Sequence, residues 1–331
     1  MHMSDALVSP ATAAVTGVAA VALLAVAVRK TGWNCRLTDE SDRRCAHAVP
    51  LMGVMGAFVF AAQMINFSIP GTGSSGHIVG GVLLAAVLGA WPAFVTLSSV
   101  IILQCLLFAD GGLMALGCNI LNMAALSCLM AYPAIYRPLA GGSASRRRIV
   151  AASMLASVVS LELGALAVVA ETSLSSIAAL PVRDFIAVML PIHLAIGIGE
   201  GLATSAVVVT LHRYDPSLLV DGRSAARTDG RHWRRGVAAV LAVTLVMAAS
   251  FSWLASSKPD GLEWSVAKVN SGEEVTPADG EPIYDVVSGV QRSTAVMPEY
   301  DTSLAGLVGC GVILLAVFGV SRIYRPNRRR T

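Results

Sequence analysis

The chain of 331 residues has little charge: Asp, Glu, Lys and Arg make up 14% of it, against 55% hydrophobic residues. A soluble domain is nearer a quarter charged, so this composition excludes an ordinary water-soluble globule. Motifs that other protein classes need are also missing. There is no G-x-x-x-x-G-K-[ST] loop to cradle a phosphate, no H-E-x-x-H to hold a helical zinc and no G-x-S-x-G to present a nucleophile. The six cysteines, Cys35, Cys45, Cys105, Cys118, Cys128 and Cys310, contain no C-x-x-C pair. None falls in a loop assigned below to the oxidising side of a membrane, so disulfides are not expected. No internal repeat of the kind common in self-sufficient carriers is visible. A secretory leader is not expected: His2 and Asp5 stand where a basic n-region belongs. The chain is therefore expected to keep its own N-terminus.

What is present is a series of apolar runs, mostly 17 residues or more and about long enough to span a bilayer as helix. Backbone groups in lipid must be satisfied within the segment, so helices are expected throughout. Nine spans are predicted: Ala11–Val28, Pro50–Phe67, Gly76–Ala90, Pro92–Phe108, Leu113–Tyr132, Ile149–Ala170, Phe185–Leu211, Val237–Ala255 and Leu304–Val320. The third is short and meets the fourth at Trp91-Pro92, which suggests a tight helical hairpin. In a nine-span arrangement, 20 of the 24 Lys and Arg residues fall on one side, in 29–49, 133–148, 212–236 and the tail. That asymmetry puts the C-terminus in the cytoplasm and the N-terminus outside. The basic clusters then act as topology determinants and call for no nucleic-acid partner.

The fold class expected is all-α: a polytopic membrane protein with a bundle of about seven helices over 1–211 and two further transmembrane helices over 237–331. A basic cytoplasmic linker, 212–236, joins the two parts. The outside loop 256–302 holds nine acidic residues, including Asp260 and Glu263, against Lys258, Lys268 and Arg292. Such a loop would concentrate cations or serve simply as a solvated connector.

The opening "MHMSDALVSP" places an imidazole beside the free amine. A methionine followed by a residue as large as His2 is retained. The Met1 amine and His2 amide nitrogen can then close a five-membered chelate ring, and the His2 amide and Nδ1 a six-membered one. Three nearly coplanar nitrogens with an open corner suit Ni(II) or Cu(II) and admit Co(II). Of the other histidines, His47, His212 and His232 fall in cytoplasmic loops. His77 lies in "NFSIPGTGSSGHIVGG", a turn-forming stretch on the N-terminal side, and is the candidate for the fourth corner. Asn66 and Ser75 of that region are candidates to shape or gate the site. His193 and Glu200 are seven residues apart on about one face of the seventh span, and intramembrane ionisable groups suggest function. A structural pair hydrogen-bonded with other helices is the other reading of them. In "LLFADGGLMALGCNILNM", Asp110 precedes a turn, and Asn119 and Asn122 share a helix face. Those amides could hold the second nitrogen of a ligating imidazole.

"MHMSDALVSP", "NFSIPGTGSSGH", "LLFADGGLMALGCNILNM" and "HLAIGIGE" resemble, in the same order, signatures of the CbiM/NikM family. These are substrate-binding membrane components of energy-coupling-factor cobalt and nickel transporters. The resemblance covers about residues 1–211. "SSKPDGLEWSVAKV" resembles the two-helix companion component (CbiN/NikN-like, PDGLE-type), here fused to the first. Ala6 and Cys118 depart from the residues usual in the family. The resemblance implies Co2+ or Ni2+ as transported substrate, with Met1, His2 and His77 as ligands. It also implies an integral membrane scaffold (T) component and two cytoplasmic ATPase subunits as partners. The first helix would meet the scaffold through the small residues Ala13 and Gly17. The chain is then a transport subunit with no enzymatic activity of its own. Two other functions are weighed against it: a self-sufficient proton-coupled carrier using Glu200, and an intramembrane hydrolase using His193 and Glu200. All the ligands expected precede residue 212.

Overall fold

A computed structural model describes residues 1–31, 39–141, 145–177, 180–220, 230–250, 256–272, 275, 282–298 and 303–323. Outside the described residues lie Cys35, much of the basic linker and the last arginines of the tail, together with Glu273, Glu274, Asp279, Glu281, Glu299 and Asp301. The side chains of Cys45, His47 and His232 lie outside them as well.

The helices are α1 (Pro10–Lys30), α2 (Asp39–Gln63), α3 (Gly81–Leu88), α4 (Ala90–Phe108), α5 (Leu116–Ala140), α6 (Arg146–Ser175) and α7 (Val182–Tyr214). The tail adds α8 (Gly230–Ser250), α9 (Gly261–Val269), α10 (Pro282–Thr294) and α11 (Ser303–Ile323). Among the described residues the only strands are β1 (Phe67–Ser68) and β2 (Ser75–Gly76), an antiparallel pair with Phe67 opposite Gly76. The protein is an all-α polytopic membrane protein. Among the described residues six helices, α1, α4, α5, α6, α7 and α8, are long and apolar enough to cross a membrane, and α2 and α11 contain shorter apolar stretches.

The third predicted span is the exception. Gly76–Ala90 is helical only over the eight residues of α3 and its junction with α4. Eight residues rise about 12 Å, well short of a bilayer core. Every residue of α3 is buried. Hydropathy measures how apolar a stretch is, and a segment enclosed by other helices scores like one that faces lipid. The loop before α3 therefore enters the bundle, where protein encloses its non-helical backbone.

Glu200 holds that loop at depth. Its carboxylate is 1% exposed and accepts the N–H groups of Val79 (2.9 Å) and Gly80 (3.1 Å), just ahead of α3. Gln63 of α2 donates to the Val79 carbonyl at 2.9 Å. At the far end of α3, Val220, beyond α7, donates to the Ala86 carbonyl at 3.1 Å. Glu200 and His193 have separate partners: Glu200 serves the loop, and His193 Nδ1 lies 2.8 Å from the Met189 carbonyl of its own helix.

Small residues set the helix spacings. A Cβ on Gly197 of α7 would lie 3.0 Å from the Val158 Cα of α6, so backbone meets backbone there. A Cβ on Gly117 of α5 would lie 2.5 Å from the Gly17 backbone nitrogen. The Gly17 stretch of α1 thus packs on α5 within this chain, and Ala13 packs against the core beside the N-terminus. The outward face of α1 carries Val15, Val18 and Val21, each about two-thirds exposed or more.

The tail packs on the bundle. Phe60 and Phe108 form one apolar cluster with Ala248 of α8 and Ala305, Cys310 and Ile313 of α11. The described part of 256–302 is no solvated connector, because it contains α9 and α10. Gln291 of α10 donates to the Gly111 carbonyl at 2.7 Å, and Tyr284 donates to the Val8 carbonyl at 2.9 Å.

Glu200→Ala leaves two buried N–H groups without an acceptor, at about 1–3 kcal/mol each. Thermal unfolding in detergent should show a marked loss of stability for Glu200→Ala. Glu200→Gln keeps one amide oxygen and should lose less. An alanine variant that melts with the native chain would contradict the anchoring role.

Candidate metal centre at the N-terminus

Residues 1–8 cross one end of the bundle and are held there. Met1, Met3, Leu7 and Val8 are all buried, and burial of one Met side chain is worth about 1.5–3 kcal/mol. Asn119 grips the Met3 backbone from both sides: its Oδ1 accepts the Met3 N–H at 2.7 Å, and its Nδ2 donates to the Met3 carbonyl at 3.2 Å. The Gly112 N–H donates to the same carbonyl at 2.8 Å. Asp5 Oδ1 accepts the N–H groups of Met114 (2.8 Å) and Ala115 (3.1 Å) at the start of α5, where the helix favours negative charge. Ser9 then caps α1 by accepting the Thr12 N–H at 3.2 Å.

These restraints set the Met1 amine 3.1 Å from His77 Nε2 and 2.7 Å from Asp260 Oδ2. His77 arrives on the loop that Glu200 anchors. Asp260 arrives on the tail as the N-cap of α9. Its Oδ1 accepts from Leu262 and Glu263, both at 2.8 Å, and Glu263 accepts the Asp260 N–H at 3.1 Å. This capping box leaves Oδ2 free for the amine. Ser75 fastens the same segment: its N–H donates to the Pro259 carbonyl (2.8 Å) and its hydroxyl to the Lys258 carbonyl (2.7 Å). The Asn66 carbonyl accepts from the Ser256 N–H at 2.8 Å.

His2 lies on the other side of His77, the two rings stacked with centroids 5.5 Å apart and planes at 14°. Its Nδ1 is 3.1 Å from Asp110 Oδ1, and its Nε2 is buried without a partner. The chelate anticipated from the first two residues is thus not closed, because His2 Nδ1 faces Asp110. To close it, His2 Nδ1 must turn from Asp110 towards its own amide. Among the described residues no three His, Cys, Asp or Glu side chains surround one point. The donors that converge include a chain terminus, which no side-chain pattern counts.

Burial would raise the carboxyl of Asp260. The Met1 ammonium and then His77 outweigh that effect and hold it well below the usual carboxylate range. Burial likewise raises Asp110, and the charge and hydrogen bond of His2 overcome it. Two ionised carboxylates therefore flank the amine and imidazoles, and the assembly suits a cation.

Of the residues anticipated here, Met1, His2, His77 and Asp110 come together, with Ser75 and Asn66 one layer out. Asn119 and Asn122 hold no imidazole. Asn119 clamps the Met3 backbone, and Asn122 donates to Glu171 at 2.6 Å and to the Met3 sulfur at 3.8 Å. His193 lines a small cavity with Met1, His77 and Asp260. Asp260 was not anticipated and is a correction: the tail contributes to this site. The one signal for it is the capping pattern D-x-x-E in Asp260–Glu263.

Residues 2–218 match the family model described as "Cobalt uptake substrate-specific transmembrane region", and residues 234–326 match the PDGLE domain. The chain is 31% identical over 347 residues to the fused nickel transport protein NikMN of Rhodobacter capsulatus, covering 98% of this chain and 95% of that protein. It is 30% identical to the putative fused nickel transport protein NikMN of Archaeoglobus fulgidus, over 83% of this chain and 86% of that one. The cobalt transport protein CbiM of Geobacter sulfurreducens is 26% identical over 75% of this chain and 70% of its own length. A crystal structure of a transition metal transporter superposes with a TM-score of 0.53 at 33% identity, covering 64% of this chain and 93% of that one.

Asn119→Ala removes two hydrogen bonds from the threaded terminus. At about 1 kcal/mol each, they correspond to roughly thirtyfold in local opening. Acylation of Met1 by an amine reagent, followed at the N-terminal peptide by mass spectrometry, should accelerate accordingly. An unchanged rate would show that Asn119 does not hold the terminus.

Proposed function

The chain belongs to the family of cobalt-uptake substrate-specific transmembrane components, joined here to a PDGLE domain, and from that premise we propose that it captures the metal for an ATP-driven energy-coupling-factor importer. It is a cobalt or nickel transport membrane component rather than an enzyme. The observation that carries the finer reading is the position of the Met1 amine, buried 3.1 Å from His77 Nε2 across 76 residues of sequence. Adjacent corners of a nitrogen-ligated divalent cation lie at about that spacing, given metal–nitrogen bonds of roughly 2 Å.

In this reading Co2+ or Ni2+ is the substrate, held by the Met1 amine, the His2 amide and imidazole, and His77. Asp110 and Asp260 offset its charge, and Asp110 releases His2 Nδ1 as the chelate closes. Asn119, Asp5 and Glu200 hold the two strands of chain that carry the donors. The site faces the outside and the basic loops the cytoplasm, in keeping with the distribution of Lys and Arg. The chain has no phosphate-binding loop of its own. A membrane scaffold component, meeting the outward face of α1 at Val15, Val18 and Val21 rather than the inward-packed Ala13 and Gly17, and two ATPase subunits therefore complete the importer. Glu200 is engaged by the loop, which occupies the carboxylate that a proton-coupled carrier or a hydrolase would use.

The N-terminus itself is the decisive element. One residue added before Met1 moves the free amine out of the chelate and places His2 third. The extended chain should lose the native metal geometry and uptake, whereas a tag after Thr331 should do little. His77→Ala should abolish binding by isothermal titration, and His212→Ala should not. Protons compete for the nitrogen lone pairs, so affinity should fall as pH drops below neutrality and return as it rises. Asp110 and Asp260, held below the ordinary range, stay charged through that interval. An N-terminally extended chain that binds and transports like the native one would overturn the reading.

A further inference from the structure

His193 is wholly buried in α7. Its Nδ1 lies 2.8 Å from the Met189 carbonyl oxygen, which can only accept. Nδ1 therefore carries the proton, and Nε2 carries a lone pair. That Nε2 is buried and has no hydrogen-bond partner, a condition that native structures avoid unless the atom has a use. An imidazole that donates one nitrogen to a backbone carbonyl, with the other free, is the usual state of a metal-ligating histidine.

The ring stands at the wall of a cavity about the size of one water, lined also by Met1, His77, Asp260 and Gly261. Met1, His77, His193 and Asp260 thus line one small space, and their side chains must draw together for three of them to reach one ion. Gly261 makes the approach of the tail possible. A Cβ there would lie 2.7 Å from Ile196 Cδ1 and 3.2 Å from His193 Cε1. Without that Cβ, the α9 N-terminus closes on the ring and carries Asp260 in with it.

We propose that this cavity is an inner position for the transported cation, with His193 Nε2 and the Asp260 carboxylate as donors beside Met1 and His77. The inference rests on the metal-capture reading and extends it. The ion taken up at the His2 side moves inward, sharing the amine and His77 between the two positions. The tail then supplies a ligand as well as its helices. Three nitrogens and one oxygen form a set that suits borderline divalent ions such as cobalt and nickel.

The experiment is Co2+ titration of the purified full-length chain in detergent, read by d–d absorption and by the imidazole count from pulsed electron paramagnetic resonance. His2→Ala disables the outer chelate but leaves the inner donors. It should still bind one Co2+, more weakly and with altered bands. Adding His193→Ala should weaken it further, by about tenfold or more, and remove one imidazole. In the native background, Asp260→Asn should shift the bands without unfolding the metal-free chain. If His193→Ala fails to fold, Asp260→Asn decides alone. Native spectra and affinity in both variants, with binding lost in His77→Ala, would overturn the inner position and leave the capture reading standing. Failure of the native chain to bind Co2+ or Ni2+ would remove both.

Discussion

A chain terminus is a charged, freely rotating amine that proteins normally leave in water, and this one is buried between an imidazole and a carboxylate. The 2.7 Å pair of Met1 with Asp260 and the 3.1 Å approach to His77 set the requirements for the surrounding structure. Residues 1–8 must be threaded, with only a 3-10 turn at Asp5–Leu7, so Asn119, Gly112 and Asp5 satisfy their backbone or fix their course. The loop that carries His77 must reach inside the bundle, so Glu200 supplies acceptors for its N–H groups. The tail must deliver a carboxylate, so Asp260 divides its two oxygens between capping α9 and receiving the amine.

A substrate ion brings two positive charges into a nearly dry place. Such a charge is costly unless opposed. Asp260 pairs with the Met1 ammonium, and Asp110 lies against His2 Nδ1. In the proposed reading the same carboxylates face the cation, and the Met1 amine and the His2 amide each give up a proton as it binds. Two protons leaving for one divalent ion keep the local charge nearly constant. The stacked rings of His2 and His77 place the second imidazole close enough to join by turning its own side chain.

Much of this was legible in the sequence. Apolar runs and one-sided arginines identify a polytopic helical membrane protein, and the loop between the second and third runs places His77 on the side of the N-terminus. The Met-His opening carries its own chelate chemistry. The third run misled because α3 is enclosed by protein on every side, a condition that hydropathy does not separate from contact with lipid. Asn119 and Asn122 were read as partners of imidazoles, but a threaded backbone has its own unsatisfied groups, and Asn119 serves those. Asp260 was hidden among nine acidic residues of one loop. Only its place three residues before Glu263 marked it as a helix start, and no local signal says that the helix it caps lies on the N-terminus.

The central claim is that the chain terminus is a metal ligand, and a structure of the full-length chain with Ni2+ or Co2+ bound tests it most directly. The account predicts a single ion roughly 2 Å from both the Met1 nitrogen and His77 Nε2, with His2 turned away from Asp110. An ion bound elsewhere, with the Met1 amine still paired to Asp260 and His2 still on Asp110, would contradict it.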